Sequence, residues 1–333
     1  MFPLPPHFRE MLFDNAWTGD SRVSPAAAVV LGKIWWGLML ILSVFIYGSH
    51  APLLTLCKEN GRIPFSASSV VVLIELTKLM LSLVFLMIWG CGQQKLSVSW
   101  HHAAPFALSA LLYAANNNLV VHLQLFMDPS TFQVLSNLKI GSTALLFSMF
   151  LHQRLTARKW LALFLLIAAG AFYTYGGLQD PQHMPASDMQ LHITPIGLVL
   201  IFLYCLISGL SAVYTEVVLK TQDLPLNLQN AFLYFFGVLL NIIIHLSSSS
   251  GAGFLEGFSF WVLLIIVSQA LNGLIMSVVM KHSSNITRLF VISSSIMVNA
   301  LLSVLLFGLH LTTFFFLSVL LISFAVYFYY GIK

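Results

Sequence analysis

Charge is what this sequence has least of. Asp, Glu, Lys and Arg together make up 8% of its 333 residues, against about 25% in ordinary soluble domains. A chain this long with so few charges cannot clothe a water-facing surface. Cysteine is scarce as well: Cys57, Cys91 and Cys205 are odd in number, far apart and without a C-x-x-C spacing. That pattern excludes a disulfide framework and a structural zinc site. The eleven histidines include His101-His102 but no His-x-x-x-His pair, so no metal and no cofactor are expected. The formal net charge is +4, yet no basic domain stands apart from the rest, which removes DNA and RNA as partners. Pro3, Pro5, Pro6, Glu10, Asp14 and Asp20 precede any long apolar run, a beginning unlike a cleaved secretory signal.

What the chain does have is apolar length. Hydrophobic residues reach 59% and the mean hydropathy is +0.90. Ten apolar segments follow one another, at 34–56, 68–90, 103–124, 131–151, 159–177, 194–220, 228–246, 255–280, 286–309 and 312–330. Each is close to the ~20 residues that a helix needs to cross a bilayer. The expected fold class is an all-α polytopic membrane protein with ten transmembrane helices. Residues 1–33 are expected to form a disordered cytosolic tail, 34–177 a first five-helix repeat, 178–193 a lumenal linker, and 194–333 a second repeat with a short cytosolic C-terminus. An odd number of spans per half makes the halves opposite in orientation, the arrangement of inverted-repeat transporters.

Charge bias sets the orientation. Arg9, Arg22, Lys33, Lys95, Arg154, Arg158, Lys159, Lys220, Lys281 and Lys333 collect on one side, and only Lys58 and Arg62 on the other. Lys and Arg near span ends stay cytosolic, so both termini are predicted in the cytosol. The sequon Asn285-Ile286-Thr287 then falls on the cytosolic side and is predicted to carry no glycan.

Three cations remain within or at the ends of spans: Lys78, Lys139 and Arg288. A lysine near the middle of a spanning helix disfavours insertion by about 2.5–3.5 kcal/mol on translocon scales unless it faces a polar cavity. Lys139 shares a helical face with Phe132, Ser136 and Thr143 by spacing. Glu75 lies three residues before Lys78, so the two form either a structural ion pair or, with Glu75 orienting Lys78, part of an anion site. The third segment carries Tyr113 and Asn116-Asn117-Asn118; the amides need partners, which a neighbouring helix or a ligand can supply. Tyr113, Asn116 and Asn117 share a face, and Asn118 points away from it. In the second half, Asn230 and Tyr234 stand one turn apart, while Ser277, Lys281 and Arg288 line the junction of the eighth and ninth segments. For Lys281 and Arg288 the plain alternative is snorkelling to the cytosolic interface. Aromatic rings stack a base, amides read its edge, and cations pair with phosphate. A site needing all three is a nucleotide site.

The stretches Tyr113–Asn118, Phe132–Ile140, Asn230–Tyr234 and Ser277–Lys281 resemble motifs of the nucleotide-sugar transporter family, solute carrier family 35, subfamily A. The resemblance runs from about Trp36 to Gly331. It implies the drug/metabolite transporter fold with two inverted five-helix repeats, a Golgi membrane location, and antiport of a cytosolic nucleotide sugar against lumenal nucleoside monophosphate. It also implies that the chain is not an enzyme, that its partners are those ligands and the lipid bilayer, and that it can form homo- or hetero-oligomers with other nucleotide-sugar transporters. Lys78, Tyr113, Asn117, Lys139, Asn230, Tyr234 and Ser277 match binding positions of the CMP-sialic acid transporters, and Arg288 stands where those carry lysine. Phe132 and Ser136 replace tyrosines, and Phe236 replaces a serine. Losing partners that a polar ligand uses costs up to ~10⁴-fold in discrimination, so the resemblance points to UDP-sugars or a CDP-linked alditol such as CDP-ribitol rather than CMP-sialic acid. Two rivals stay open at this point: a non-transporting receptor or scaffold with a degenerate pocket, and a membrane-embedded glycosyl- or phosphotransferase, for which Glu75 and Glu216 are the carboxylates available within spans.

Overall fold

A computed structural model describes residues 25–58, 64–89, 100–123, 126–127, 129–178, 194–247, 253–308 and 311–331. Among these the chain is helical and contains no strand: α1 Pro25–Leu56, α2 Ala67–Trp89, α3 Trp100–Leu123, α4 Pro129–Ser136, α5 Lys139–Phe150, α6 Ala157–Leu178, α7 Pro195–Thr221, α8 Leu226–Ser247, α9 Phe260–His282, α10 Asn285–Phe307 and α11 Thr313–Val326, which continues into a π-turn at Tyr327–Gly331. Eight of the helices, α1, α2 and α6 to α11, are long and apolar enough to cross a membrane. α3 has the length, 24 residues, but His101, His102 and the three asparagines lower its hydropathy.

The helices are apolar on the outside for a reason. On α7, Ile196, Val199 and Phe202 are 58%, 67% and 66% exposed, whereas Gly197, Ile201, Tyr204 and Cys205 on the other side are buried. An exposed apolar stripe of this size is unfavourable in water and neutral in lipid. The chain is a multi-pass membrane protein.

α1 starts at Pro25, inside the segment expected to be a tail. Proline suits the first helical turn, and Ala26, Ala27 and Ala28 after it favour helix. Residues 1–24 and most of the expected linker lie outside the described residues.

Both ends of the bundle can be followed through its packing. At one end, called here the near end, Trp36 and Leu40 of α1 bury against Met276 and Val279 of α9 and Val291 of α10. Phe106 of α3 buries against Val218, Leu219, Leu233, Tyr234 and Met280 of α7, α8 and α9. A larger cluster joins α5, α6, α7, α10 and α11 through Phe147, Leu163, Val213, Phe290 and Ile322. The far end has two clusters with no helix in common. Cys57, just past the end of α1, Val70 and Ile265 tie α1, α2 and α9, while Leu123, Met127, Ile201 and Tyr204 tie the end of α3 to α7. The described core therefore closes the near end and leaves the far end as two separate packing units.

Candidate functional site

The apolar run 131–151 is two helices and not the single one its hydropathy predicts. α4 ends at Ser136 and α5 begins at Lys139. Across the break, i→i+3 backbone bonds such as Ile140 N–H to Asn137 O at 3.1 Å tighten the chain. The Asn137 amide donates to the carbonyls of Gln133 and Val134, both at 3.1 Å, which satisfies acceptors freed where α4 stops. A Cβ at Gly170 of α6 would lie 2.3 Å from Asn137 Oδ1, so only glycine there lets the asparagine tuck in. On the next turn the Ser142 hydroxyl donates to Cys205 O of α7 at 2.6 Å. Asparagine and serine thus hold the break between α6 and α7, and Lys139 is the first residue past it.

The Lys139 ammonium has no hydrogen bond or ion pair with any described residue, and Arg288 is the cation near enough to repel it. Arg288 projects from the first turn of α10. Its Nη1 donates to the Tyr113 hydroxyl at 3.2 Å and reaches the Met280 sulfur at 3.8 Å. The Tyr47 hydroxyl of α1 lies close by, and Arg288 Nε is buried without a hydrogen-bond partner. Phenols orient a guanidinium without neutralising it. Arg288 and Lys139 therefore both lack a carboxylate counterion among the described residues.

Lys78 differs from them. Its ammonium donates to Glu75 Oε1 at 2.7 Å, with the two side chains only 14% and 19% exposed, and it sits 5.2 Å from the centroid of the Tyr234 ring. Two glycines make room for the pair. A Cβ at Gly237 of α8 would stand 2.9 Å from Glu75 Oε2, and one at Gly273 of α9 would stand 2.6 Å from Lys78 Cε. Tyr234 is buried beside the pair, as is Asn230 one turn away. The Ser277 hydroxyl of α9 donates to Asn230 Oδ1.

Asn117 is exposed on the side of α3 opposite the outward stripe of Leu108, Leu111, Ala115, Asn118 and His122. Its exposure is thus to the space between helices, whereas Asn118, on the stripe, donates to Ala114 O at 3.0 Å within its own helix. Lys281 leaves the group altogether: its ammonium donates to Leu224 O at the near end, 3.1 Å away. Phe132 packs on Tyr204 with ring centroids 5.4 Å apart, and the Ser136 hydroxyl donates to Gln133 O at 2.9 Å. Phe236 lies edge-on against Trp100 at 6.1 Å. None of these three presents a free hydroxyl beside Arg288.

The structure thus brings Lys78, Tyr113, Asn230, Tyr234, Ser277 and Arg288 together from α2, α3, α8, α9 and α10, with Lys139 near enough to repel Arg288. Sequence reasoning missed Tyr47, Gly237 and Gly273. Nothing in spacing distinguishes a glycine that accommodates an ion pair from one that merely packs.

Residues 38–330 match the family described as nucleotide-sugar transporter. The chain belongs to that family. Nucleotide-sugar transporters similar to it include proteins named "Probable UDP-sugar transporter protein SLC35A4". The one from Xenopus tropicalis is 63% identical over 91% of this chain and 94% of its own length, and the one from Homo sapiens 60% over 89% and 94%. That from Danio rerio is 50% identical over 92% and 97%. A solved crystal structure only 11% identical superposes with a TM-score of 0.67, covering 88% of this chain and 96% of its own, which is a likeness of fold alone. The family is one of transporters and not of enzymes.

Proposed function

We propose that this transporter carries a nucleotide sugar, a UDP-sugar or a CDP-linked alditol such as CDP-ribitol, from the cytosol into the Golgi lumen in exchange for nucleoside monophosphate. The observation that carries the reading is the pair of cations without carboxylates, Lys139 and Arg288, in a half-buried polar group that also offers rings and amides. Two such cations match the two negative charges of a diphosphate ester. In this reading they hold the phosphates, and Tyr113, Asn117, Asn230, Tyr234 and Ser277 hold base and ribose. Lys78, already paired with Glu75, positions Tyr234.

Ten spans in two inverted repeats are part of the same proposal: α3 supplies a span despite its asparagines, and α4 with α5 supplies a broken one. The packing supports this reading. Exchanging each helix for its counterpart in the other half maps α1 on α10 to α7 on α5, α3 on α8 to α9 on α2, and α3 on α7 to α9 on α1, and all six contacts occur. The contacts of α2 with α8 and of α6 with α11 map onto themselves. Alternating access by rocking such halves around a central site follows from that symmetry, with the near end cytosolic.

Counterflow in proteoliposomes preloaded with CMP or UMP tests the proposal. Uptake of labelled nucleotide sugar should depend on the preloaded nucleotide and drop at least about tenfold in Lys139→Ala, the loss of roughly one charge-assisted contact. Undiminished uptake in that variant would sink the assignment.

A further inference from the structure

Glu216 is a carboxylate on α7 with 0% exposure, and the site described above does not use it. Its Oε1 accepts from Lys220 at 2.5 Å, and its Oε2 accepts the backbone N–H of Asn285, the first residue of α10, at 2.7 Å. Lys220 makes a second bond, to the carbonyl of Ser283 at 2.6 Å. The bonds to Ser283 and Asn285 therefore tie α7 to the junction of α9 and α10. A third runs the other way, from Lys281 of α9 to Leu224 O in the turn between α7 and α8. That turn is stiffened by Gln229, whose amide donates to Gln222 O and Leu224 O, both at 2.8 Å. The two turns are thus laced together at the near end, below Asn230, Ser277 and the buried Met280.

A buried carboxylate is costly unless every acceptor is used. Glu216 meets that condition only while α10's first N–H stays within reach. Arg288 lies in that same helical turn, three residues on. A shift of that turn which carries Arg288 also carries the donor that Glu216 holds.

We infer that Glu216 and Lys220 form the latch of the cytosolic gate, closed when the site faces the lumen and opened when the first turn of α10 shifts with ligand at Arg288. The inference rests on the transport reading given above. Substrate occupancy is thereby transmitted to the gate through four residues of one helix, with no longer path required. Because the latch joins α7 to the α9–α10 turn, it restrains opening at the near end alone.

The test uses the full chain in sealed vesicles, with Met280→Cys as a near-end reporter and Ile201→Cys as a far-end reporter, each in a background without its other cysteines. Glu216→Gln keeps the shape but removes the charge that holds Lys220, and Lys220→Gln breaks the tie from the other partner. In either variant, labelling of the near-end reporter by an impermeant maleimide from the cytosolic side should rise about tenfold or more, the size of a one-decade population shift, with no rise at the far-end reporter. Equal rises at both reporters, or none at the near end, would overturn the latch. On the unsubstituted chain, hydrogen exchange of the 283–288 amides should be slow and should quicken when CMP or UMP is added; exchange that is fast from the start, or that nucleotide leaves unaltered, also overturns it. Counterflow by the unsubstituted chain, run in parallel, separates the two claims: if counterflow is present and labelling does not respond, the latch alone fails, and if counterflow is absent both fail.

Discussion

The Lys78 ammonium rests 5.2 Å from the centre of the Tyr234 ring while bonded to Glu75 at 2.7 Å. A cation held both by a carboxylate and against an aromatic face has a fixed position. It therefore orders the ring that lies against it, which in the proposed function is a ring for the nucleotide.

Breaking that pair from one side should hurt more than removing it. Lys78→Ala leaves Glu75 as a largely buried, unpaired anion, a loss of about 3–5 kcal/mol for buried pairs, somewhat less here because the pair keeps some exposure. The double substitution Glu75→Ala with Lys78→Ala should recover part of the thermal stability in detergent that the single substitution loses. A double variant less stable than the single one would contradict this account.

Gly273→Ala should perturb function before stability. The added methyl would lie 2.6 Å from Lys78 Cε, and that atom belongs to a flexible side chain that can swing aside. Expected is a several-fold weaker nucleotide-sugar affinity with a melting temperature within a few degrees of the parent, since a shift of about 1 kcal/mol moves Tm by only about 2–4 °C in chains of 150–250 residues. Competition binding alongside a melting curve reads both.

Tyr113→Phe removes the hydroxyl that orients Arg288 Nη1. A hydrogen bond to a charged group contributes about 1.5–3 kcal/mol, so affinity should fall roughly 10- to 150-fold. Arg288→Lys keeps the charge but loses the planar fork, and should retain measurable counterflow, in contrast to Arg288→Ala. Identical rates for the two Arg288 variants would show that charge at this position is immaterial.

Asn285 should carry no glycan. It is 1% exposed, which leaves its side-chain amide no access to a glycosyl donor. Treatment with an endoglycosidase should leave electrophoretic mobility unchanged; a downward shift would place this turn in the lumen and reverse the assigned orientation.

Much of the helical layout was legible from hydropathy, because lipid imposes a length and an apolar face on whatever crosses it. The segment predicted at 68–90 is the helix Ala67–Trp89, and that at 286–309 is Asn285–Phe307. The break at 137–138 was not legible, because Asn137 and Gly170 are a close contact between two helices and neither signals the other in sequence. Lys139 stood out because an intramembrane cation is rare. Glu216 could be seen as a carboxylate within a span, yet its role depends on Lys220, Ser283 and Asn285 meeting it in space. Phe132 and Ser136 were read as departures on the Lys139 face; the structure adds that one packs on Tyr204 and the other bonds its own helix.

In the proposed exchange, the lack of a carboxylate beside Lys139 and Arg288 among the described residues makes the unloaded site an electrical load. Each elementary charge that crosses a full membrane potential of 100 mV takes up about 2.3 kcal/mol, and a carrier that reorients around two bare cations moves part of that field with every empty turn. Loaded with a dianion it moves almost none. Slippage without cargo should therefore respond to voltage, while exchange of one dianion for another should be nearly silent to it.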